Sequence, residues 1–332
     1  MPPIRTLTAL CLTAALAAPA ARADSPIPAP AASAPAELAG VPFGTMDFDW
    51  RDESRSRSVP VRLYLPDAAA AGKPVPLVVF SHGIGGSRMG YSYLGRYWAS
   101  QGYASLHLQH VGSDRNLWAG NPFGLVGRLR DAAQDKEAIA RVLDLHFALD
   151  QLLAGPLASR IDADRIVAAG HSYGANTTLL AAGAQVERAG QKLDFRDARI
   201  KAAIILSAPP FYGETDPAKV LAGITVPTLH VTATEDIIRI PGYYSGATDR
   251  VAVFDATGSP RKALAVFAGG SHSMFTDRSG TGGMALNPKV KDATRALSLA
   301  FLKDVFDGED AALRQWPAQF AGIVARYTRL GL

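Results

Sequence analysis

The chain has 332 residues, 48% hydrophobic and 19% charged, enough apolar content to bury a large core in one sizeable α/β domain or two smaller ones. Disorder is excluded for the bulk of it. Setting aside Arg5 and Arg22, which lie in the leading segment, leaves 32 basic residues against 30 acidic ones, and so weak a balance makes no case for nucleic acid or anionic membrane as a partner.

Residues 1–23, "MPPIRTLTALCLTAALAAPAARA", join a basic Arg5, an apolar stretch from Leu7 to Ala18 and the small-x-small site Ala21-Arg22-Ala23. This is the three-part pattern of a secretory signal peptide, and the apolar run, broken by Pro19, falls short of the roughly 20 residues that span a bilayer. The expected localisation is periplasmic or extracellular, with cleavage near Ala23, a mature start at about Asp24 and no membrane span. Cys11 is the only cysteine, so the mature chain has neither a disulfide nor a thiol nucleophile. Residues 24–40, rich in Pro and Ala, read as an extended tether, and a single domain is expected over 41–332.

Within that domain, "MDFDWRD" and "RSVPVRLYLP" come first and read as an antiparallel edge. Short apolar or alternating runs follow, "PLVVFSHG", "YASLHLQH", "RIVAAG", "KAAIILSAPP", "VPTLHVTA" and "KALAVFAGG", each ending in Gly, Pro or polar residues as strands do. Helical patterns lie between most of them. The clearest runs from about Asp131 to Leu153, where Ile139, Val142, Leu143, Leu149 and Leu153 recur at spacings of three and four. Stretches near 288–306 and 309–328 are predicted as closing helices. Such alternation implies a mostly parallel central sheet covered by helices on both faces. The connection at about 208–226 is too short for a helical cap, so no large cap domain is expected.

In such a sheet the site lies at the carboxyl ends of the strands. The stretch "RIVAAGHSYGANTTLL" delivers Ser172 to that edge and then turns away as a helix. Gly170 and Gly174 lack Cβ atoms, so strand and helix can approach closely and hold the serine hydroxyl on a sharp turn, at a helix N-terminus that favours negative charge. The alternative is an ordinary glycine-flanked turn. A serine hydroxyl needs a base, and the base an orienting acid, in the chain order Ser, acid, His.

Only His230 and His272 lie after Ser172. His230 sits among apolar neighbours in "TLHVTA" and is expected to be a core residue, which leaves His272, in the loop "GGSHSMF", as the base. Asp236 in "TATED" is the preferred acid, with Glu235 beside it and Asp255 as outside candidates. His107 and His110, three apart on a strand, face opposite sides and cannot chelate one ion, His146 lies on the apolar face of the long helix, and His171 is expected to pack; no metal site emerges. The glycine-rich loop "SHGIGGSR" after a strand suits an oxyanion hole, with the amides of Ile84 and Tyr173 as donors. It lacks the Gly-Lys-Ser/Thr of a phosphate-binding loop.

The serine turn "GHSYG", the loop "SHGIGG", the acid in "TATED" and the histidine in "GGSHSMF" resemble an α/β-hydrolase over about 45–310. More narrowly, "PLVVFSHGIGGSR", "GYASLHLQHVGSD" and the long crossover helix are similar to the platelet-activating-factor acetylhydrolase-like and dienelactone-hydrolase-like branch. True dienelactone hydrolases carry cysteine where this chain has Ser172. The resemblance implies a serine esterase; with the signal pattern and the short 208–226 connection, the expectation is a secreted hydrolase of carboxylic esters with short acyl groups, acting on a small-molecule or lipid-like ester without a cofactor. Trp118, Phe211 and Tyr212, with Phe123, are the expected pocket walls. A cutinase-like polyester hydrolase or a peptidase on the same triad is the alternative, and a non-catalytic hydrolase-like binding protein is the alternative of a different class.

Overall fold

The computed structural model describes residues 40–332 apart from 72, 241 and 279–282. The signal peptide and nearly all of the tether expected before Val41 lie outside the described residues. In chain order the elements are β1 (Phe43–Asp52), β2 (Arg57–Pro66), β3 (Val75–Ser81), α1 (Ser92–Ser100), β4 (Ala104–Leu108), α2 (Leu125–Ala132), α3 (Asp135–Ala154), β5 (Ile161–His171), α4 (Tyr173–Ala182), β6 (Gln185–Arg188) and β7 (Gln191–Asp194). Then come β8 (Ile200–Leu206), α5 (Pro217–Leu221), β9 (Thr228–Glu235), β10 (Ile238–Ile240), β11 (Tyr243–Ser245), α6 (Ala247–Ala256), β12 (Lys262–Ser271), α7 (Leu286–Asp307), α8 (Ala311–Gln319) and β13 (Val324–Leu330).

Nine strands form one sheet in the order β1-β2-β4-β3-β5-β8-β9-β12-β13. The six from β4 to β12 are parallel, while β1–β2, β2–β4 and β12–β13 pair antiparallel. The mostly parallel sheet and its antiparallel amino-terminal edge are as the sequence implies. Strands buried on both faces must be apolar at every position, and β3, "VPLVVFS", is buried throughout. One face is covered by α3, α4, α5 and α6, which bring Leu145, Leu179, Val220 and Val253 to a common core. The other is covered by α1, α7 and α8 through Trp98, Phe301 and Trp316. Burying each large aliphatic or aromatic side chain contributes about 1.5–3 kcal/mol.

Three expectations need correction. The long helix starts at Asp135, after the separate α2, with Asp135 and Glu137 in its first turn, where carboxylates suit the helix dipole. Its buried face is rotated from the expected stripe: Val142, Leu145, Ala148, Leu149 and Leu152 are buried together with Arg141 and Asp144. The second closing helix predicted at 309–328 stops at Gln319, and the chain continues as β13, which supplies the sheet's last edge by pairing with β12.

Between β8 and β9 there is only the five-residue α5. The cover over the strand ends comes instead from the hairpins β6–β7 and β10–β11. The first turns through Ala189 and Gly190, at φ 51° and 76°, the doubly positive pair of a tight hairpin turn.

Candidate active site

Ser172 stands between the end of β5 and the start of α4 in a conformation that side chains avoid, φ 55° and ψ −122°. Such a backbone costs about 1–3 kcal/mol and persists only where its surroundings over-determine it. The two glycines are that surrounding: a Cβ on Gly174 would lie 1.9 Å from the carbonyl oxygen of Ser81, and one on Gly170 would lie 2.2 Å from that of Gly174. The Ser172 N–H is tied to the Leu206 carbonyl at 2.9 Å. Its hydroxyl makes no cap bond to α4 and is left for another partner.

That partner is His272, whose Nε2 lies 2.7 Å from Ser172 Oγ. On the far side of the ring, Nδ1–H donates to Asp236 Oδ1 at 2.8 Å. Asp236 is fully buried. Its Oδ2 accepts from Thr232 Oγ1 at 2.8 Å and from the Ser207 hydroxyl, and Arg250 Nη2 stands 3.6 Å from Oδ1. Burial alone would raise this carboxyl, but the His272 hydrogen bond and the charges of His272 and Arg250 outweigh it and hold Asp236 ionised well below the usual carboxylate range. Glu235 is exposed at the end of β9, and Asp255 is exposed on α6, so neither reaches the ring.

Ser207, which the sequence does not single out, and His171, expected only to pack, complete this side. Ser207, held at φ 56°, bridges Asp236 and His272 Nδ1, the latter at 2.7 Å. His171 donates from Nε2 to the His272 carbonyl at 2.9 Å, so its Nδ1 is the acceptor of the Tyr91 hydroxyl at 2.8 Å. Tyr91 in turn accepts the Gly83 N–H at 3.2 Å. A chain of hydrogen bonds thus joins His272 to the glycine-rich loop. Burial, with the nearby His272, pushes His171 down to about 3 and keeps it neutral.

In the glycine-rich loop, His110 N–H donates to His82 Nε2 at 3.1 Å, so the neutral ring carries its proton on Nδ1 and donates it to Gly83 O at 2.7 Å. Burial, with the charge of Arg141 behind it, lowers His82 well below the ordinary histidine range and preserves that tautomer. Gly86 N–H also binds the Gly83 carbonyl, at 3.0 Å. In a trans peptide C=O and N–H point opposite ways, so pinning the Gly83 carbonyl aims the Ile84 N–H away from His82. Among the described residues no acceptor takes that N–H. Tyr173 is the first residue of α4, where an N–H has no intrahelical carbonyl to bind.

Ile84, Ser172 and Tyr173 share the lining of one cavity of about 110 Å³. Phe211 and Tyr212 line it as expected, while Val186, Leu193, Ile238 and Tyr243 come from the two hairpins. Trp118 is misplaced by the sequence reading. It is half-exposed and lies outside the lining, because its indole N–H donates to Gly85 O at 2.8 Å and its ring packs on Gly85, whose missing Cβ would come within 2.5 Å. Phe123 points into solvent, 95% exposed.

The other histidines find separate partners. His107 binds Gly90 O and Ser105 Oγ, His110 binds Asp144 and Ser81, His146 binds Phe195 O, and His230 contacts Thr228 Oγ1 against the Phe254 ring. Among the described residues no three His, Cys, Asp or Glu side chains are grouped to hold a metal ion, and no helix is long and apolar enough to cross a membrane.

The sequence model of platelet-activating factor acetylhydrolase, isoform II, matches residues 54–116, a segment that carries the glycine-rich loop but none of Ser172, Asp236 and His272. No curated protein matches. Among solved structures, a ferulic acid esterase from Streptomyces cinnamoneus superposes with a TM-score of 0.63 at 24% identity, covering 85% of this chain and 94% of that one. The fold is that of the α/β-hydrolases, and over residues 54–116 the chain is similar to the acetylhydrolase family.

Proposed function

We propose that the protein is a serine-dependent hydrolase of carboxylic esters. The observation that carries this reading is the continuous line from Ser172 Oγ through His272 to a buried, ionised Asp236, with both spacings under 3 Å. The match to an acetylhydrolase family and the fold shared with an esterase support it.

In this mechanism His272 Nε2 takes the Ser172 proton as Oγ attacks the acyl carbon, and Asp236 stabilises the imidazolium and holds its tautomer. The N–H groups of Ile84 and Tyr173 receive the developing oxyanion. His272 then protonates the departing alcohol, the acyl group remains on Ser172, and water activated by the same histidine releases it as the acid.

The cavity measures about 110 Å³, and the β8–β9 connection adds no helical cap to lengthen it, which suits a short acyl group better than a long one. A second reading, an arylated acyl group, is favoured by the ring faces of Phe211, Tyr212 and Tyr243 in the lining. One experiment tests both: hydrolysis of acetyl, butyryl, octanoyl and cinnamoyl esters by the wild type and by Ser172→Ala. Turnover of acetyl or butyryl esters well above octanoyl, lost in the variant, is the expected result. Fastest turnover of octanoyl esters would reject the short-acyl preference, cinnamoyl turnover above acetyl would favour the arylated reading and cinnamoyl turnover far below it would reject that reading, and unchanged turnover in Ser172→Ala would reject the mechanism. Export is proposed from residues 1–23 alone, and protein recovered from its host should start at or near Asp24.

A further inference from the structure

Arg141 is fully buried in α3, and its three hydrogen bonds all go to neutral oxygens. Nε donates to Thr177 Oγ1 at 3.1 Å, Nη1 to Ser113 Oγ at 2.7 Å, and Nη2 to the His82 carbonyl. The guanidinium also stacks 4.5 Å from the centre of the Tyr173 ring. The negative charge in reach is second-hand: the Ser113 hydroxyl donates a hydrogen bond to Glu137 at 2.8 Å. Taking a cation out of water without a directly paired anion is costly, and an apolar side chain of similar volume would fill this space with less penalty. Burial pushes the guanidinium down to about 10, which leaves it protonated at neutral pH.

Two of the three acceptors belong to the two segments that would supply the oxyanion donors. His82 O lies one peptide before the Gly83–Ile84 unit. Thr177 lies one turn after Tyr173 in α4 and donates its hydroxyl to the Tyr173 carbonyl at 3.2 Å. These segments are far apart in sequence and leave adjacent strands, β3 and β5, whose pairing ends at Ser81 and Gly170, so beyond that point a further tie is needed to fix the spacing of their N–H groups. A planar fork with donors in fixed directions does.

We infer that Arg141 is a positioning residue for the transition state: it clamps the Ile84 segment to the Tyr173 segment so that their N–H groups converge, and it keeps a positive charge behind the point where the oxyanion forms. This inference rests on the esterase reading. An oxyanion donor acts only on charge that develops in the reaction, so loosening the clamp lowers kcat and leaves ground-state binding nearly untouched.

The test compares Arg141→Lys, Arg141→Met and Arg57→Met with the wild type. Arg57 belongs to the neighbouring charged cluster, binding Glu137 and Asp144, but touches neither donor segment. Kinetics on one short ester, inhibition by a trifluoromethyl ketone that forms a tetrahedral adduct with the serine, and Tm are measured for each. Removing a single donor typically lowers kcat by about 10²–10³-fold, so Arg141→Met should lose about that much, with KM within about threefold and ketone affinity falling in step with kcat/KM. Arg141→Lys keeps the charge but not the fork and should fall between Arg141→Met and the wild type. Arg57→Met should lower Tm while kcat stays within about threefold.

The inference is overturned if a folded Arg141 variant keeps kcat within about threefold, if the loss appears in KM alone, if ketone affinity does not follow kcat/KM, or if Arg57→Met loses kcat equally. Should Arg141→Met fail to fold, Arg141→Lys decides by the same criteria, and Thr177→Val, which removes only the α4 acceptor, decides if neither folds. A wild type that neither hydrolyses esters nor binds the ketone would instead reject the esterase reading.

Discussion

On the His272 side of Ser172 an ionised carboxylate is buried among donors; on the Ile84 side a cation is buried among neutral acceptors. Asp236 receives hydrogen bonds from His272, Thr232 and Ser207 with Arg250 behind it, and in the proposed mechanism its charge is matched by an imidazolium that forms and vanishes within each turnover. Arg141 grips His82 O, Ser113 and Thr177, a charge that stays put. The first arrangement suits a proton in transit and the second suits an anion that appears briefly at backbone amides. The sides meet through Gly83, Tyr91, His171 and the His272 carbonyl.

Breaking the proton-transfer side should have the largest effect. Ser172→Ala and His272→Ala should each lower kcat by about five to six orders of magnitude, and Asp236→Asn by about four, measured on one short ester with folded proteins. The double variant Ser172→Ala with His272→Ala should be little worse than either alone, because the residues act as a unit. Glu235→Gln should stay near wild type, since Glu235 is exposed and unattached to the ring.

Tyr91→Phe sharpens the comparison by removing only the link between the sides. Gly83 N–H loses its acceptor and His171 Nδ1 its donor, while Ser172, His272 and Asp236 keep their contacts. A loss of about tenfold in kcat is expected, with KM little changed. Losses of that size in KM alone would mean the chain acts on substrate binding.

The buried imidazoles predict how acid undoes the fold. Burial, helped by Lys262, holds His230 at about 3, burial holds His107 at about 4, and burial with His272 holds His171 at about 3. Each folded-state value is depressed, so below the unfolded value of about 6.5 the unfolded chain binds protons that the folded one refuses, and stability falls as pH drops from about 6.5 toward 4. Asp236 adds to this at lower pH: its folded value is also depressed, so its contribution is present above the unfolded carboxylate value of about 3.9 and is lost as pH falls through its folded one. The urea midpoint should therefore decline from pH 7 to 4.5. In His230→Gln the slope should flatten by about one proton, or roughly 1.4 kcal/mol per pH unit, with kcat at neutral pH unaltered. An unchanged slope would place the titrating group elsewhere.

The smallest expected effect is on specificity. Phe211→Ala enlarges the cavity wall beside Ser172 and should raise octanoyl relative to acetyl turnover a few-fold, the gain that one or two extra methylenes earn in an apolar pocket.

The grouping of Ser172, His272 and Asp236 is legible because each stands in a distinctive place at a strand end: a serine between glycines, a histidine in a loop, an aspartate after a strand. The sheet was legible from its apolar runs. Arg141 and Asp144 stood in plain sight as charges on the buried face of α3, but the apolar stripe drawn through Leu143 and Leu153 put them on the wrong side. The β6–β7 hairpin hid because its tight turn uses Ala189 at positive φ, where Asn or Asp would have announced it. The sequence around "VARYTRL" reads as helix because the pairing of β13 with β12 is a long-range contact, and the open edge of the sheet decides the outcome there. Trp118 was assigned to the cavity by type and neighbourhood, and only the bare face of Gly85 explains where it went.

The central claim is that Ser172 is the nucleophile and His272 its base. The direct measurement is reaction of the wild type, His272→Ala and His230→Ala with a fluorophosphonate, with the adduct mapped by mass spectrometry. One adduct per chain on Ser172, formed readily in the wild type and His230→Ala and drastically slowed in His272→Ala, is the predicted result; an adduct on another residue, or equal labelling of His272→Ala, would contradict it.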